Sequence, residues 1–193
     1  MKAWMMDDYK GVEGLRLDES AEKPKAEEGQ VVVKLHYAAL NPADRYLAEK
    51  MYPARPSFPH ILGRDGVGTV EELGKGIGKF KPGDLVALLR GNAGVNEWGT
   101  LAEYVSVPQR MLVAVPRGWE EQHAAAAPLV YQTAHMALKQ WGELPEESNI
   151  LITGASGGVG VACIQLGKAM GHRLIALSRS QEKGEKLKEL GAD

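Results

Sequence analysis

The 193-residue chain carries 23 Lys and Arg against 25 Asp and Glu, a formal net charge of −2, with 44% hydrophobic and 25% charged residues. That is an ordinary globular balance, enough for one full domain or one and a fraction, and without a basic block it argues against nucleic acid as a partner. No apolar run reaches the roughly 18–20 residues that cross a bilayer. Residues 1–10 hold two aspartates instead of a secretory leader's basic and apolar regions, and the single cysteine, Cys163, excludes a disulfide framework or a multi-cysteine zinc lobe. The expectation is a cytoplasmic protein with no membrane association.

In chain order, the first part reads as short strands separated by turns. Residues 30–40 (QVVVKLHYAAL) are rich in β-branched and aromatic side chains and predict a strand. Asn41-Pro42 supplies a cap and a first-turn proline for a short helix over 43–50. Residues 61–73 predict a strand interrupted at Gly63, Gly66 and Gly68, where bulges or close backbone approaches are expected. A Lys81-Pro82-Gly83-Asp84 turn launches a strand over 85–89, and 100–107 and 112–115 supply two more. Strands at this spacing predict a compact barrel or sandwich.

The periodicity changes after Pro116. Residues 120–127 and 129–141 have helical composition, with Pro128 expected at the join of two helices. A βαβα run follows: a strand over 149–153, a glycine turn, a helix over 159–170, a strand over 173–177 and a helix over 181–190. Such alternation predicts a parallel sheet with covering helices. Two parallel strands are a poor unit by themselves, since one face and both edges stay open. The chain is therefore expected to be part of a longer enzyme.

The glycine turn is the most informative segment. An apolar strand, Ile150-Leu151-Ile152, leads into Gly154-Ala155-Ser156-Gly157-Gly158-Val159-Gly160, and an amphipathic helix follows. This is the dinucleotide fingerprint in the form A-x-G-x-x-G, at Ala155, Gly157 and Gly160. It needs a small residue for the tight turn, a bare backbone where pyrophosphate approaches, and a glycine where helix and strand pack closely. Free N–H groups at the helix start then face the phosphates. The second strand should select the cofactor: NAD sites place an acid there for the ribose 2′-hydroxyl, whereas an arginine accommodates a 2′-phosphate. Here stand Leu177-Ser178-Arg179-Ser180, with Lys183 one turn on and no acid before Glu182. NADP(H) is the expected cofactor, held by Ser178, Arg179 and Lys183; the plainer alternative for the two cations is a solvated helix start.

Several segments together resemble the medium-chain dehydrogenase/reductase superfamily, in its zinc-free quinone oxidoreductase branch. They are Asn41-Pro42-Ala43-Asp44-Arg45-Tyr46, Met51-Tyr52-Pro53, Leu62-Gly63-Arg64-Asp65-Gly66-Val67-Gly68-Thr69-Val70, Phe80-Lys81-Pro82-Gly83-Asp84, Gly99-Thr100-Leu101-Ala102-Glu103-Tyr104 and the fingerprint itself, in order over nearly the whole chain. The resemblance implies a GroES-like β-barrel substrate domain over 1–122, then the first half of a Rossmann domain with parallel strands over 123–193. It implies no metal. Zinc-containing relatives place a cysteine at Asn41, a Gly-His-Glu at Gly63-Arg64-Asp65 and a further ligand near Leu129, and an arginine cannot ligate zinc. The five histidines (36, 60, 123, 135, 172) show no ligand spacing and are expected at the surface or as satisfied core residues. Cys163 is expected to fill a small apolar role.

The resemblance also places Asn41, Tyr46 and Tyr52 around nicotinamide and substrate, and Thr133 at the nicotinamide end. Each tyrosine reads equally well as a half-buried barrel residue, Asp44 as a helix cap, and Arg64 with Asp65 as a structural ion pair. The implied reaction is NADPH-dependent reduction of a small-molecule quinone or α,β-unsaturated carbonyl. The alternatives are an inactive nucleotide-binding or structural fragment and an alcohol dehydrogenase-like carbonyl reductase. Family members often form homodimers through a Rossmann edge beyond these residues.

Overall fold

The run Val31-Val32-Val33 lies in the longest strand of the computed structural model, which describes residues 1–140 and 142–193. Two compact units divide between Pro128 and Leu129, against the 122/123 division drawn from the sequence. In the first unit the strands are β1 (Ala3–Met6), β2 (Leu15–Asp18), β3 (Gln30–Ala39), β4 (His60–Ile61), β5 (Asp65–Leu73), β6 (Leu85–Leu88), β7 (Tyr104–Pro108) and β8 (Leu112–Ala114), with helix α1 over Pro42–Ala48. Five of them pair in the order β7-β3-β5-β6-β8, all antiparallel. Val31, Val33, Val70, Val86, Leu88, Val105, Val107 and Leu112 form its core, each such side chain contributing about 1.5–3 kcal/mol when fully buried.

The expected closed barrel is not formed. A separate three-stranded sheet, β2-β1-β4, meets the larger sheet's connecting loop through the Ala3–Ala102 bridge and the Trp4 N–H donating to the Leu101 carbonyl at 2.8 Å. Closure needs a continuous, staggered ladder around the ring. Here the β3–β7 ladder stops at Lys34–Tyr104, and a bulge at His36 follows, where Leu35 pairs with Gly68 and Tyr37 with Val67. The bulge expected near Gly68 is present and explains the glycine: a Cβ there would lie 2.0 Å from the Lys34 carbonyl oxygen and 2.8 Å from the Leu35 Cα. Gly66 and Gly68 do not interrupt β5, while Gly63, with φ +97°, separates β4 from β5.

Helix α2 spans Glu121–Lys139 and runs through Pro128 where two helices were expected. Proline removes one donor and crowds one carbonyl, which an otherwise well-formed helix of this length can absorb. Trp141, the last residue of the second expected helix, lies outside the described residues.

In the second unit β9 (Asn149–Ile152) and β10 (Arg173–Ala176) pair in parallel, with α3 (Gly158–Ala169) between them and α4 (Gln181–Glu189) after. Side chains alternate by face. Ile152 and Leu174 join Ala155, Ala162, Cys163, Ile164 and Leu187 in a core, and burial pushes the Cys163 thiol pKa up, as suits an inert apolar residue. Leu151 and Ile175, on the other face, are 59% and 38% exposed. Among the described residues no helix is long and apolar enough to cross a membrane.

Candidate functional site

In the second unit, β9 ends at Ile152 and a turn over 153–157 delivers the chain to α3. Ala155 and Gly160 are buried, whereas Ser156, Gly157, Gly158 and Val159 are exposed. The glycine at 160 is sterically obligatory: a Cβ would sit 2.5 Å from the Gly154 carbonyl oxygen and 2.7 Å from the Ala155 Cα. The first α3 hydrogen bond runs from the Val161 N–H to the Gly157 carbonyl at 2.9 Å, and no side chain caps the helix at Gly157. The N–H groups of its first turn are therefore left for an external acceptor. A bare turn against a closely packed helix start fits the diphosphate of a dinucleotide.

The end of β10 lies beside this turn, because Ala176 pairs with Ile152 and the Leu177 N–H donates to the Ile152 carbonyl at 3.0 Å. Ser178, Arg179 and Lys183 are exposed. The Ser178 hydroxyl donates to the Ser180 carbonyl at 2.8 Å, and the Ser180 hydroxyl caps α4 by accepting the Lys183 N–H. The neighbouring acid, Glu182, is engaged by Lys186 at 2.9 Å, and among the described residues neither Arg179 nor Lys183 is ion-paired. Thr133, half-buried on α2, donates its hydroxyl to the Leu129 carbonyl at 2.7 Å.

The first unit carries a different arrangement. Asn41 caps α1, and its backbone N–H donates to the Asp44 carboxylate at 2.8 Å. Its Nδ2 donates to the Asp65 carboxylate at 3.0 Å. Asp44, Arg64 and Asp65 are buried, at 4%, 5% and 0% exposure. Burial raises the Asp44 pKa, against the opposing pull of the Asn41 N–H, the Arg64 charge and the Gly63 N–H. Arg64 Nη1 donates to the Tyr52 hydroxyl at 3.0 Å, and its guanidinium carbon lies 4.2 Å from the Tyr52 ring centroid.

Asp65 accepts from Asn41, and a further carboxylate lies near Arg64. It belongs to Asp44, with Nε to Oδ1 3.9 Å apart. Asn41 and Tyr52, both half-buried, are thus drawn to one polar cluster around the buried Asp44, Arg64 and Asp65. Among the described residues Tyr46 is joined to it through the backbone only, its carbonyl accepting the Met51 and Tyr52 N–H groups at 2.7 and 3.1 Å, while its side chain is exposed. Sequence reasoning named Arg64 and Asp44 but missed their burial. No pattern in the residues signals it, since charged residues default to solvent.

The histidines depart in part from expectation. His60 is buried with Nε2 unpartnered, and His172 Nδ1 is likewise buried without a partner. His36 Nδ1 lies 2.6 Å from the Glu121 carboxylate. Among the described residues no three His, Cys, Asp or Glu side chains come together that could hold a metal ion.

The glycine turn and the chain's antiparallel first unit define the class. Residues 27–117 match the alcohol dehydrogenase GroES-like domain. The whole chain is 35% identical to the NADPH-dependent alkenal/one oxidoreductase, chloroplastic, of Arabidopsis thaliana, over 51% of that protein. Likewise 97% of it is 30% identical to the quinone oxidoreductase of Rattus norvegicus, over 55% of its length. A solved NAD-dependent alcohol dehydrogenase superposes with a TM-score of 0.93 at 32% identity, covering all of this chain and 62% of that one. The chain belongs to the medium-chain dehydrogenase/reductase superfamily, in its quinone oxidoreductase-like part. It spans about half the length of these two oxidoreductase relatives.

Proposed function

We propose that the protein is an oxidoreductase that uses NADPH to reduce a quinone or an α,β-unsaturated carbonyl without a metal ion. The observation that carries the reading is the turn at 153–157 with the α3 start that follows it, uncapped and packed close through the buried Gly160, which suits a dinucleotide diphosphate. A bound dihydronicotinamide supplies the hydride. Ala155, Ser156, Gly157, Gly158, Val159 and Gly160 hold the diphosphate, and Arg179 and Lys183, with Ser178, take the 2′-phosphate. This favours NADPH over the NAD of the alcohol dehydrogenase neighbour. The Thr133 hydroxyl, donating to Leu129, keeps lone pairs free to accept from the nicotinamide amide.

The first unit serves as the substrate domain. Tyr52 and Tyr46 present phenols to the acceptor oxygen, and Asn41 orients the cluster beneath them. A metal-dependent alcohol dehydrogenase reaction is disfavoured because Arg64, at the histidine ligand position of zinc relatives, is a fixed cation that would repel the metal. The test is NADPH consumption with a small quinone and an enone by protein from the full reading frame, beside the 193-residue chain. Turnover with either acceptor and preference for NADPH over NADH are expected; consumption with neither acceptor overturns the reading.

A further inference from the structure

We propose that Arg64 is a positioning residue that fixes the Tyr52 hydroxyl as a hydrogen-bond donor toward the substrate oxygen; this rests on the proposed role of Tyr52 as a group that faces that oxygen. Arg64 Nη1 donates to the phenol oxygen at 3.0 Å. A guanidinium has no acceptor site and is not deprotonated in proteins. Tyr52 must therefore accept in this contact, and its own proton has to point elsewhere. The ring is clamped as well, with the guanidinium carbon 4.2 Å from its centroid. The backbone completes the restraint: the Tyr52 N–H donates to the Tyr46 carbonyl, and the Tyr52 carbonyl accepts from Arg55 Nη1 at 2.9 Å. Tyr46, with an exposed side chain, has no comparable clamp among the described residues.

Arg64 and Asp44 form a loose ion pair, without the hydrogen bonds of a close structural pair. Such a pair would place a carboxylate in the guanidinium fork and satisfy its donors. Instead Asp44 Oδ1 stands 3.9 Å from Nε, beyond hydrogen-bond length, and Asp44 Oδ1, Arg64 Nε and Arg64 Nη2 are all buried without a hydrogen-bond partner. Among the described residues the Tyr52 hydroxyl is the one hydrogen-bond acceptor Arg64 reaches. Asp44 balances the buried charge without capturing an N–H, so the cation's directional contact goes to the phenol.

The chemistry follows from that contact. As hydride adds to the acceptor, an electron pair moves to its carbonyl oxygen. The Tyr52 O–H bond breaks and its proton passes to that oxygen. The resulting phenolate is held against the Arg64 cation until a solvent proton restores it.

A double-mutant cycle on protein from the full reading frame, with NADPH and a small enone, tests the proposal. Tyr52→Phe is expected to lower kcat about 100-fold and Arg64→Met about 10–100-fold, with the KM for NADPH unchanged. Arg64→Met added to Tyr52→Phe should cost less than about threefold more, because Arg64 acts through the missing hydroxyl. If Arg64→Met does not fold, Arg64→Lys takes its place, with a smaller loss that again disappears in the Tyr52→Phe background. Ring resonances of Tyr52 in the 193-residue chain give a second readout and should shift in Arg64→Met; unchanged shifts overturn the contact. Multiplicative losses in the double variant, with the wild type turning over, overturn the role of Arg64 alone. A wild type that consumes no NADPH with any acceptor overturns the parent reading and this proposal together.

Discussion

His60 is 1% exposed, and burial pushes its pKa down from 6.5 to about 4. Between those values the unfolded chain takes up a proton that the folded state refuses. The stability at stake is complete above pH 6.5 and is lost as pH falls through that window, by up to about 3 kcal/mol. Urea midpoints near pH 7 and near pH 5 should therefore differ for the wild type, and by clearly less for His60→Phe. At the far end of the chain, a carboxylate at position 179 would repel a 2′-phosphate. Arg179→Glu should lower affinity for NADPH about 10–100-fold while sparing NADH, read by isothermal titration. Equal losses for both nucleotides would remove Arg179 from the proposed site. The place of Arg179 and Lys183, exposed just after the second parallel strand, was legible from the βαβα order alone. Arg64 was not: its sequence context, Gly63-Arg64-Asp65-Gly66, reveals neither the depth at which the charge sits nor which carboxylate it meets.

Two close backbone approaches bear on whole elements. Gly68 lets β5 lie against the bulge in β3, and any Cβ there collides with the Lys34 carbonyl. Gly68→Val should destabilise the first unit by at least about 2 kcal/mol in chemical denaturation. Gly160 does the same for α3 against its turn, so Gly160→Val should abolish NADPH binding measurable by titration, and retained binding would detach the turn from the nucleotide. Both glycines were readable because a residue without a side chain, inside a strand or a fingerprint, marks the place where another backbone comes close. Strands β1 and β2 were missed for the opposite reason. Ala3-Trp4-Met5-Met6 and Leu15-Arg16-Leu17-Asp18 contain no β-branched residue, and the two short segments find their register only by pairing with each other and, for β1, with β4. Helix α2 was split at Pro128 by a local rule that the surrounding helix overrides.

At the scale of the molecule, the βαβα alternation disclosed the parallel half-sheet, whereas closure of the first unit was beyond local pattern because it depends on ladders between distant segments. The open face of β9 and β10 shows Leu151 and Ile175 to solvent. Such a surface favours self-association. Sedimentation of the 193-residue chain should show concentration-dependent association that Leu151→Lys with Ile175→Lys reduces; equal association would place the contact elsewhere. The central claim, metal-free hydride transfer from NADPH to an activated double bond or quinone, is tested most directly with deuterated cofactor. Protein from the full reading frame, incubated with NADPH carrying deuterium at the transferable position, an enone and a strong chelator, should yield reduced product one mass unit heavier, at a rate the chelator leaves unchanged. Product without deuterium, or turnover abolished by the chelator and restored by zinc, would contradict it.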